Sequence, residues 1–138
     1  MNARQAAAEL RRRIPKLKEL HSKAMDEIAS YGMKQAIKRS SGPYSMADLR
    51  KRDHPYAKRH GSPKLDPSRI NVQSGAFRES WYAVRTPKGR AIINENKVAD
   101  YLVLGTETMF ARPIDKAIEG DIVDRAKFIY AYTLEKIR

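Results

Sequence analysis

The stretch WYAVRTPKGRAIINEN, residues 81–96, separates this chain from an all-helical protein. Apolar and polar residues alternate on both sides of a Pro-Lys-Gly turn, and β-branched and aromatic residues are frequent. This pattern is typical of two antiparallel strands joined by a tight turn. The next apolar segment, ADYLVLG at residues 99–105, has the composition of a third strand. The sequence therefore predicts a small, mainly antiparallel sheet.

A long helix is predicted before the sheet, over residues 2–39, because apolar side chains recur there at steps of three and four residues. Pro15 lacks an amide hydrogen and is expected to break or kink this helix near Ile14. A short basic helix would then precede a long amphipathic one that begins at about Lys16.

The segment between the helix and the sheet carries several breaks. SSGPYS, residues 40–45, ends the long helix through its Gly-Pro pair, and Ser45 is placed to cap a short helix over residues 46–52. Three prolines and one glycine predict an extended loop over residues 54–67. Ser74 is the predicted N-cap of a helix of one or two turns.

A second long helix is predicted after the sheet, with Pro113 in its first turn. Gly120 weakens this helix, since glycine costs ~1 kcal/mol relative to alanine in a helix interior. Its apolar stripe consists of Ile114, Ile118, Ile122, Ala126, Ile129 and Ile137. The predicted fold class is α+β, with long N-terminal and C-terminal helices packed on a small antiparallel sheet. The 138 residues form one predicted domain, with a helical segment over 1–40, a basic loop region over 41–69 and an α+β core over 70–138.

Positive charge is the clearest compositional feature, with a formal net charge of +12. Residues 1–65 hold 16 Lys and Arg against 6 Asp and Glu, whereas residues 66–138 hold 12 against 10. Such a local excess indicates an anionic partner, either nucleic-acid phosphates or an acidic protein surface. A solvated basic surface without a dedicated partner is the alternative.

No pattern in the chain indicates catalysis. Cysteine is absent, which excludes disulfides and thiolate chemistry and fits an intracellular origin. His54 and His60 are six residues apart, which is the wrong spacing for two metal ligands on one helix, although Asp53 and Asp66 nearby keep a metal-nuclease site conceivable. Phosphate-binding glycine motifs, a secretory signal and membrane-spanning runs are not found. We therefore expect no enzyme activity, no cofactor, no metal and no membrane association.

Three segments in order resemble the head–tail joining, or tail-completion, proteins of the necks of long-tailed double-stranded DNA bacteriophages. That family shows T/S-G-x-L-R-x-S-I, then Y-A-x-Y-V-E-F-G-T, then x-A-R-P-F-L-x-x-A. The matching residues here are Ser74, Gly75, Phe77, Arg78, Ser80 and Trp81; Ala99, Tyr101, Leu104, Gly105 and Thr106; and Ala111, Arg112, Pro113, Ile114 and Ala117. The resemblance covers roughly residues 54–119.

The resemblance implies a structural virion protein, assembled in the host cytoplasm, that forms a ring of 6 or 12 copies. Its partners would be the portal or connector on the head side and the tail-tube or tail-terminator proteins on the other. The implied assembly interface comprises Gly75, Phe77, Arg78, Tyr101, Gly105, Thr106, Met109, Phe110, Arg112 and Pro113. We expect Arg78 to bond carbonyls or a neighbour's carboxylate, and Arg112 to be free to pair.

The basic residues suggest how such a ring would meet its surroundings. Arg50, Lys51, Arg52, Lys58 and Arg59 are the candidates for contact with the connector or, non-specifically, with packaged DNA. Two rival interpretations stay open at this point: a free, non-specific nucleic-acid-binding protein, and a minor tail component.

Overall fold

The computed structural model describes residues 2–42, 44, 46–51, 68–70, 75–107 and 111–136. Within these ranges the chain forms five helices and two strands. They are α1 (Ala3–Arg39), α2 (Met46–Lys51), α3 (Ala76–Glu79), β1 (Trp81–Thr86), β2 (Gly89–Asn94), α4 (Ala99–Leu104) and α5 (Ile114–Glu135). The predicted α+β class, with long helices at both ends of a small antiparallel sheet, is confirmed.

Helix α1 runs unbroken for 37 residues and contains Pro15, so the predicted division into two helices near Ile14 is wrong. The alternative, a kink near Ile14, stays a prediction. Its start is held by a capping box, in which Asn2 Oδ1 accepts from the Gln5 amide at 2.9 Å and Gln5 Oε1 accepts from the Asn2 amide at 3.0 Å. Proline removes one helical hydrogen bond, but this part of α1 is exposed, and water can satisfy the carbonyl that loses its donor.

The predicted hairpin is confirmed. Strands β1 and β2 pair antiparallel, from Trp81 opposite Asn94 to Thr86 opposite Gly89, and the two intervening residues form the turn. The described sheet has these two strands.

The predicted third strand is wrong, because residues 99–104 form helix α4. The Asn96 side-chain oxygen accepts from the Val98 amide at 3.0 Å, and the Asn96 backbone carbonyl accepts from the Ala99 amide at 2.9 Å. These two bonds turn the chain into the helix. Tyr101 and Leu104 are exposed while the two residues between them are half-buried, a helical rather than an alternating pattern.

Helix α5 begins directly after Pro113 and continues through Gly120 to Glu135. The Pro113 carbonyl accepts from the Ala117 amide at 3.4 Å, so the proline stands at the helix start as predicted. Of the predicted stripe, Ile114, Ile118 and Ile129 are buried, and Ile122 and Ala126 pack against them. Ile137 lies outside the described residues.

The core forms where α5 packs antiparallel along the C-terminal half of α1. At one end Ala36 and Ile114 share a cluster, and at the other Ile129 packs on Ala24 and Ile28. Gly32 allows this close approach, because a Cβ there would lie 2.2 Å from Ile92 Cδ1 and 2.8 Å from Ile122 Cδ1. The core is therefore a thin layer between two helices and one hairpin.

Two smaller predictions concern short helices. The helix predicted over residues 46–52 is confirmed as α2, and the short helix after Ser74 is confirmed as the single turn α3. Gly75 occupies the N-cap position of α3, so the predicted Ser74 cap is wrong. The proposed Ser45 cap and the predicted loop over residues 54–67 lie outside the described part of the chain. Among the described residues, no helix combines the length and apolar character needed to cross a membrane.

Candidate assembly site

The first motif segment forms a tight corner between α3 and β1. Gly75 has φ of 87°, the left-handed region that disfavours side chains, and it stands at the start of α3. Phe77 and Trp81 pack edge to face at 5.8 Å between ring centroids, and Trp81 Nε1 donates to Ser40 Oγ at 2.7 Å. Ser40 is 1% exposed, so this bond satisfies a buried hydroxyl and ties the corner to the end of α1.

Arg78 lies half-buried on α3, beside Gly75. Within the described ranges its guanidinium has no ion pair and no hydrogen bond to a carbonyl. The predicted bond to carbonyls within the subunit is therefore not found there. A bond to a neighbour's carboxylate stays a prediction.

The second segment presents a mixed surface. Tyr101 and Leu104 of α4 are exposed, whereas Leu102 and Val103 pack against the core cluster around Ile114. Gly105, with φ of 75°, ends the helix, and Thr106 is half-buried after it. The predicted interface residue Tyr101 is thus available to a partner.

The third segment is held against the second by its backbone. The Arg112 amide donates to the Leu102 carbonyl at 3.1 Å, and the Arg112 carbonyl accepts from the Ile114 amide at 2.7 Å. The Arg112 side chain is only 5% exposed, and burial lowers the pKa of its guanidinium below the usual value. Arg112 therefore lies inside the subunit rather than free on its surface, while Pro113 next to it is exposed.

Several predicted site residues lie outside the described part of the chain. Met109 and Phe110 are among them, as are Arg52, Lys58 and Arg59 of the basic loop. The backbone of Arg50 belongs to α2, and Lys51 at the end of α2 is exposed. The basic loop thus stays a prediction, apart from one exposed cation.

A partly buried ion pair locks the two long helices together. Arg39 Nε and Nη2 donate to the two carboxylate oxygens of Asp121 at 2.7 and 3.0 Å, and Arg39 Nη1 donates to the Ser68 carbonyl at 3.3 Å. The hydrogen bond from Arg39 holds the pKa of Asp121 below its usual value. The residues stand 82 positions apart, and no spacing rule predicts such a pair.

The sequence pattern also did not predict that apolar residues in the N-terminal half of α1 are exposed. Leu10, Ile14 and Leu17 are 61%, 46% and 42% exposed, although their spacing is that of a buried helix face. The length of α1 relative to α5, 37 residues against 22, is the signal that could have revealed this.

Among the described residues no group of three or more His, Asp or Glu side chains is arranged to hold a metal ion. Compared with protein-family models, with curated proteins and with solved structures, the chain matches none. The candidate site is thus defined by its own geometry: three short segments packed on one apolar cluster, with the exposed side chains of Tyr101 and Leu104 beside them.

Proposed function

We propose that this chain is a structural subunit of a bacteriophage neck, in which copies form a ring that joins the DNA-filled head to the tail. One observation carries the proposal. The three segments that resemble the joining proteins, within residues 74–81, 99–106 and 111–117, pack on one apolar cluster that contains Phe77, Leu102 and Ile114. A resemblance confined to unrelated turns would give no reason for the segments to meet.

The arrangement suits a subunit that is held by its neighbours. The half-buried Trp81 is bonded to Ser40 and the Arg112 side chain is buried, while Tyr101 and Leu104 are exposed. Exposed apolar side chains of this kind are typical of interfaces between proteins. The ring would contain 6 or 12 copies and contact the portal or connector on one side and the tail-tube or tail-terminator protein on the other.

Deleting the gene from a phage that carries it tests the proposal. Negative-stain electron microscopy of the lysate should show DNA-filled heads beside detached, complete tails, because each half assembles without the joint. Supplying the wild-type gene in trans should restore joined particles. Intact virions in the deletion lysate would rule the neck role out.

Complementation also tests the surface. Tyr101→Asp places a charge on an exposed position that the proposal assigns to the interface, so it should fold yet fail to restore joined particles. Tyr101→Phe keeps the aromatic side chain without adding a charge, so it should restore joined particles as the wild type does. Equal complementation by both variants would remove Tyr101 from the interface.

Non-specific nucleic-acid binding is the second candidate function, and one observation favours it. Arg4, Arg11 and Lys18 stand seven residues apart along the exposed half of α1, and no ion pair holds them within the described residues. If phosphates are their partner, affinity for a short duplex should fall steeply and linearly on a logarithmic salt scale, with a slope that decreases when these residues are changed to glutamine. Fluorescence anisotropy of labelled duplex DNA measures this, and no binding at low salt would exclude it.

A further inference from the structure

The N-terminal arm, residues 3–19 of α1, extends beyond the rest of the structure. We call that rest, from Ala24 of α1 through the hairpin to α5, the body. All the buried residues of α1 lie at Ala24 or later, and residues 3–19 are exposed except for Ala6 and Glu9, which are half-buried. At 1.5 Å per residue the arm is about 25 Å long. Most helical stability in proteins comes from tertiary packing of an apolar face, and the arm lacks such packing within the described residues. A partner that covers the arm would stabilise it.

The arm carries an apolar stripe that continues the core face of α1. Leu10, Ile14 and Leu17 follow the i, i+4, i+7 spacing of a helix that docks in a groove. Further along α1 the same face carries Ala24 and Ile28, which pack on α5. The stripe is therefore the same kind of packing surface as the core, but no part of its own body covers it.

A row of cations borders the stripe. Arg4, Arg11 and Lys18 recur at seven-residue steps, so they line one edge of it. On the other edge Arg13 pairs with Glu9 at 2.8 Å. The arm holds six Lys and Arg against two Glu. Two arms would repel each other, so the charge favours an acidic surface as the partner.

An apolar groove of about 360 Å³ between α1, the hairpin and α5 has two acidic residues in its lining, Asp115 and Glu119. We call it the body groove. Its lining includes Met25, Ala29, Arg90 and Val123 beside Asp115 and Glu119. Asp115 and Glu119 stand one turn apart on α5, exposed, and within the described ranges neither has an ion pair. Arg90 on the opposite wall is engaged by Asp26 at 2.7 Å. Its charge is therefore already compensated.

The arm cannot fill the groove of its own subunit. Since α1 is one continuous helix and its residues Met25 to Ala29 form a wall of the groove, the arm points along the helix axis, away from it. We propose that the arm of one copy docks in the body groove of a second copy, with Leu10, Ile14 and Leu17 against the apolar lining and the Arg4–Arg11–Lys18 edge against Asp115 and Glu119.

This contact is heterologous, because each copy offers the arm on one side and the groove on the other. Repeated head-to-tail contacts close into a ring when the rotation between copies permits it. The arm–groove contact rests on the proposed ring, because both require that copies of the chain associate with each other. The phage context is not needed, so purified protein is sufficient for the test.

Engineered cysteines test the pairing, since the chain has no cysteine of its own. One preparation carries Leu17→Cys on the arm and a second carries Val123→Cys in the groove, with Leu10→Cys as a second arm position. Under mild oxidation a disulfide-linked dimer should form efficiently only when an arm variant and the groove variant are mixed. Equal cross-linking by an arm variant alone would show arm–arm pairing, and no enrichment in either mixture would equally overturn the proposal.

Charge reversal tests the polar edge. The variants Arg11→Glu and Glu119→Lys should each weaken self-association about tenfold in sedimentation velocity, and the combination Arg11→Glu/Glu119→Lys should recover most of the loss. Lys16→Glu, on the opposite side of the arm, is the matched control and should leave association unchanged. Circular dichroism confirms that each variant folds. No loss in the single variants, or no recovery in the double variant, would contradict the assigned pairing.

The failures of the two proposals are distinguishable. If the protein self-associates but shows no arm–groove cross-link, the docking contact is wrong and the ring stands. If arm and groove cross-link as expected but deletion leaves intact virions, the contact stands and the neck role is wrong.

Discussion

The two halves of α1 share one helix and one apolar periodicity, but they differ in what covers them. In the C-terminal half, Ala24, Ile28 and Ala36 are buried against α5 and its neighbours. In the N-terminal half, Leu10 and Ile14 occupy the same face and are exposed. Periodicity therefore indicates that a helix has an apolar face, and the tertiary structure determines whether other parts of the same chain cover that face.

The apolar residues of the two halves should also contribute to different free energies, that of folding in the body and that of association in the arm. Burying apolar area in the body stabilises the monomer by about 25 cal/mol per Å². The same residues in the arm contribute to folding only when another molecule covers them. Mutations in the body should thus act on stability, and mutations in the arm should act on association.

The largest expected effect is a matched pair of truncations on α1. Ile28→Ala removes a side chain that is 8% exposed and should lower the free energy of unfolding by about 2–4 kcal/mol, because it leaves a cavity against Ile129. Ile14→Ala, the same change in the arm, should cost less than about 0.5 kcal/mol. Urea denaturation at protein concentrations low enough to keep the chain dissociated measures both values.

Equal losses at the two positions would mean that the arm belongs to the cooperative core. That result would remove the basis of the comparison, and with it the reason to look for a second molecule on the arm.

A smaller effect is expected from the proline of the arm. Pro15→Ala restores a helical amide and should stabilise the helix locally by up to about 3 kcal/mol. Hydrogen exchange followed by mass spectrometry should then slow in residues 3–19 but not in residues 24–36, since opening of the arm is independent of the body. Slower exchange throughout α1 would show that the two halves open together.

The smallest expected effect comes from the ion pair of Arg39 with Asp121. Asp121→Asn should lower the free energy of unfolding at pH 7 by about 1 kcal/mol, because a partly exposed pair gives little net stability. The pKa of Asp121 is lower in the folded than in the unfolded state, so its contribution is fully present above the unfolded value. It should be lost as the pH falls below about 3.8 through the folded pKa.

Asp124→Asn is the control for this pH dependence, since Asp124 is exposed on the same helix and has no ion pair among the described residues. Denaturation of the wild type and both variants between pH 2 and pH 7 gives the comparison. A difference between wild type and Asp121→Asn that persists at the lowest pH would show that the aspartate stabilises α5 without its charge.

Local pattern predicted much of the fold. The alternation on both sides of Pro87 and Lys88 predicted the hairpin, and the spacing of isoleucines after Pro113 predicted α5. Two predictions failed because a neighbouring residue or solvent outweighed local propensity. The side chain of Asn96 starts a helix in a β-prone segment, and solvent exposure allows Pro15 inside α1.

The candidate site was less predictable, because it depends on contacts between distant segments. The motifs predicted that Arg112 would be free to pair, but its side chain is buried, and its amide is bonded to the Leu102 carbonyl ten residues earlier, which no spacing reveals. The body groove combines residues from positions 25 to 123. Charge did predict a basic N-terminal region, and the arm is part of it.

The central claim is that the arm and the body groove are two halves of one contact between copies, and hydrogen exchange at increasing protein concentration tests it most directly. The account predicts that residues 3–19 and the groove residues of α5 gain protection together as concentration rises, and that the loss of this protection in Arg11→Glu is reversed by Glu119→Lys. Exchange in the arm that stays fast at every concentration, or protection of the arm without protection of the groove, would contradict it.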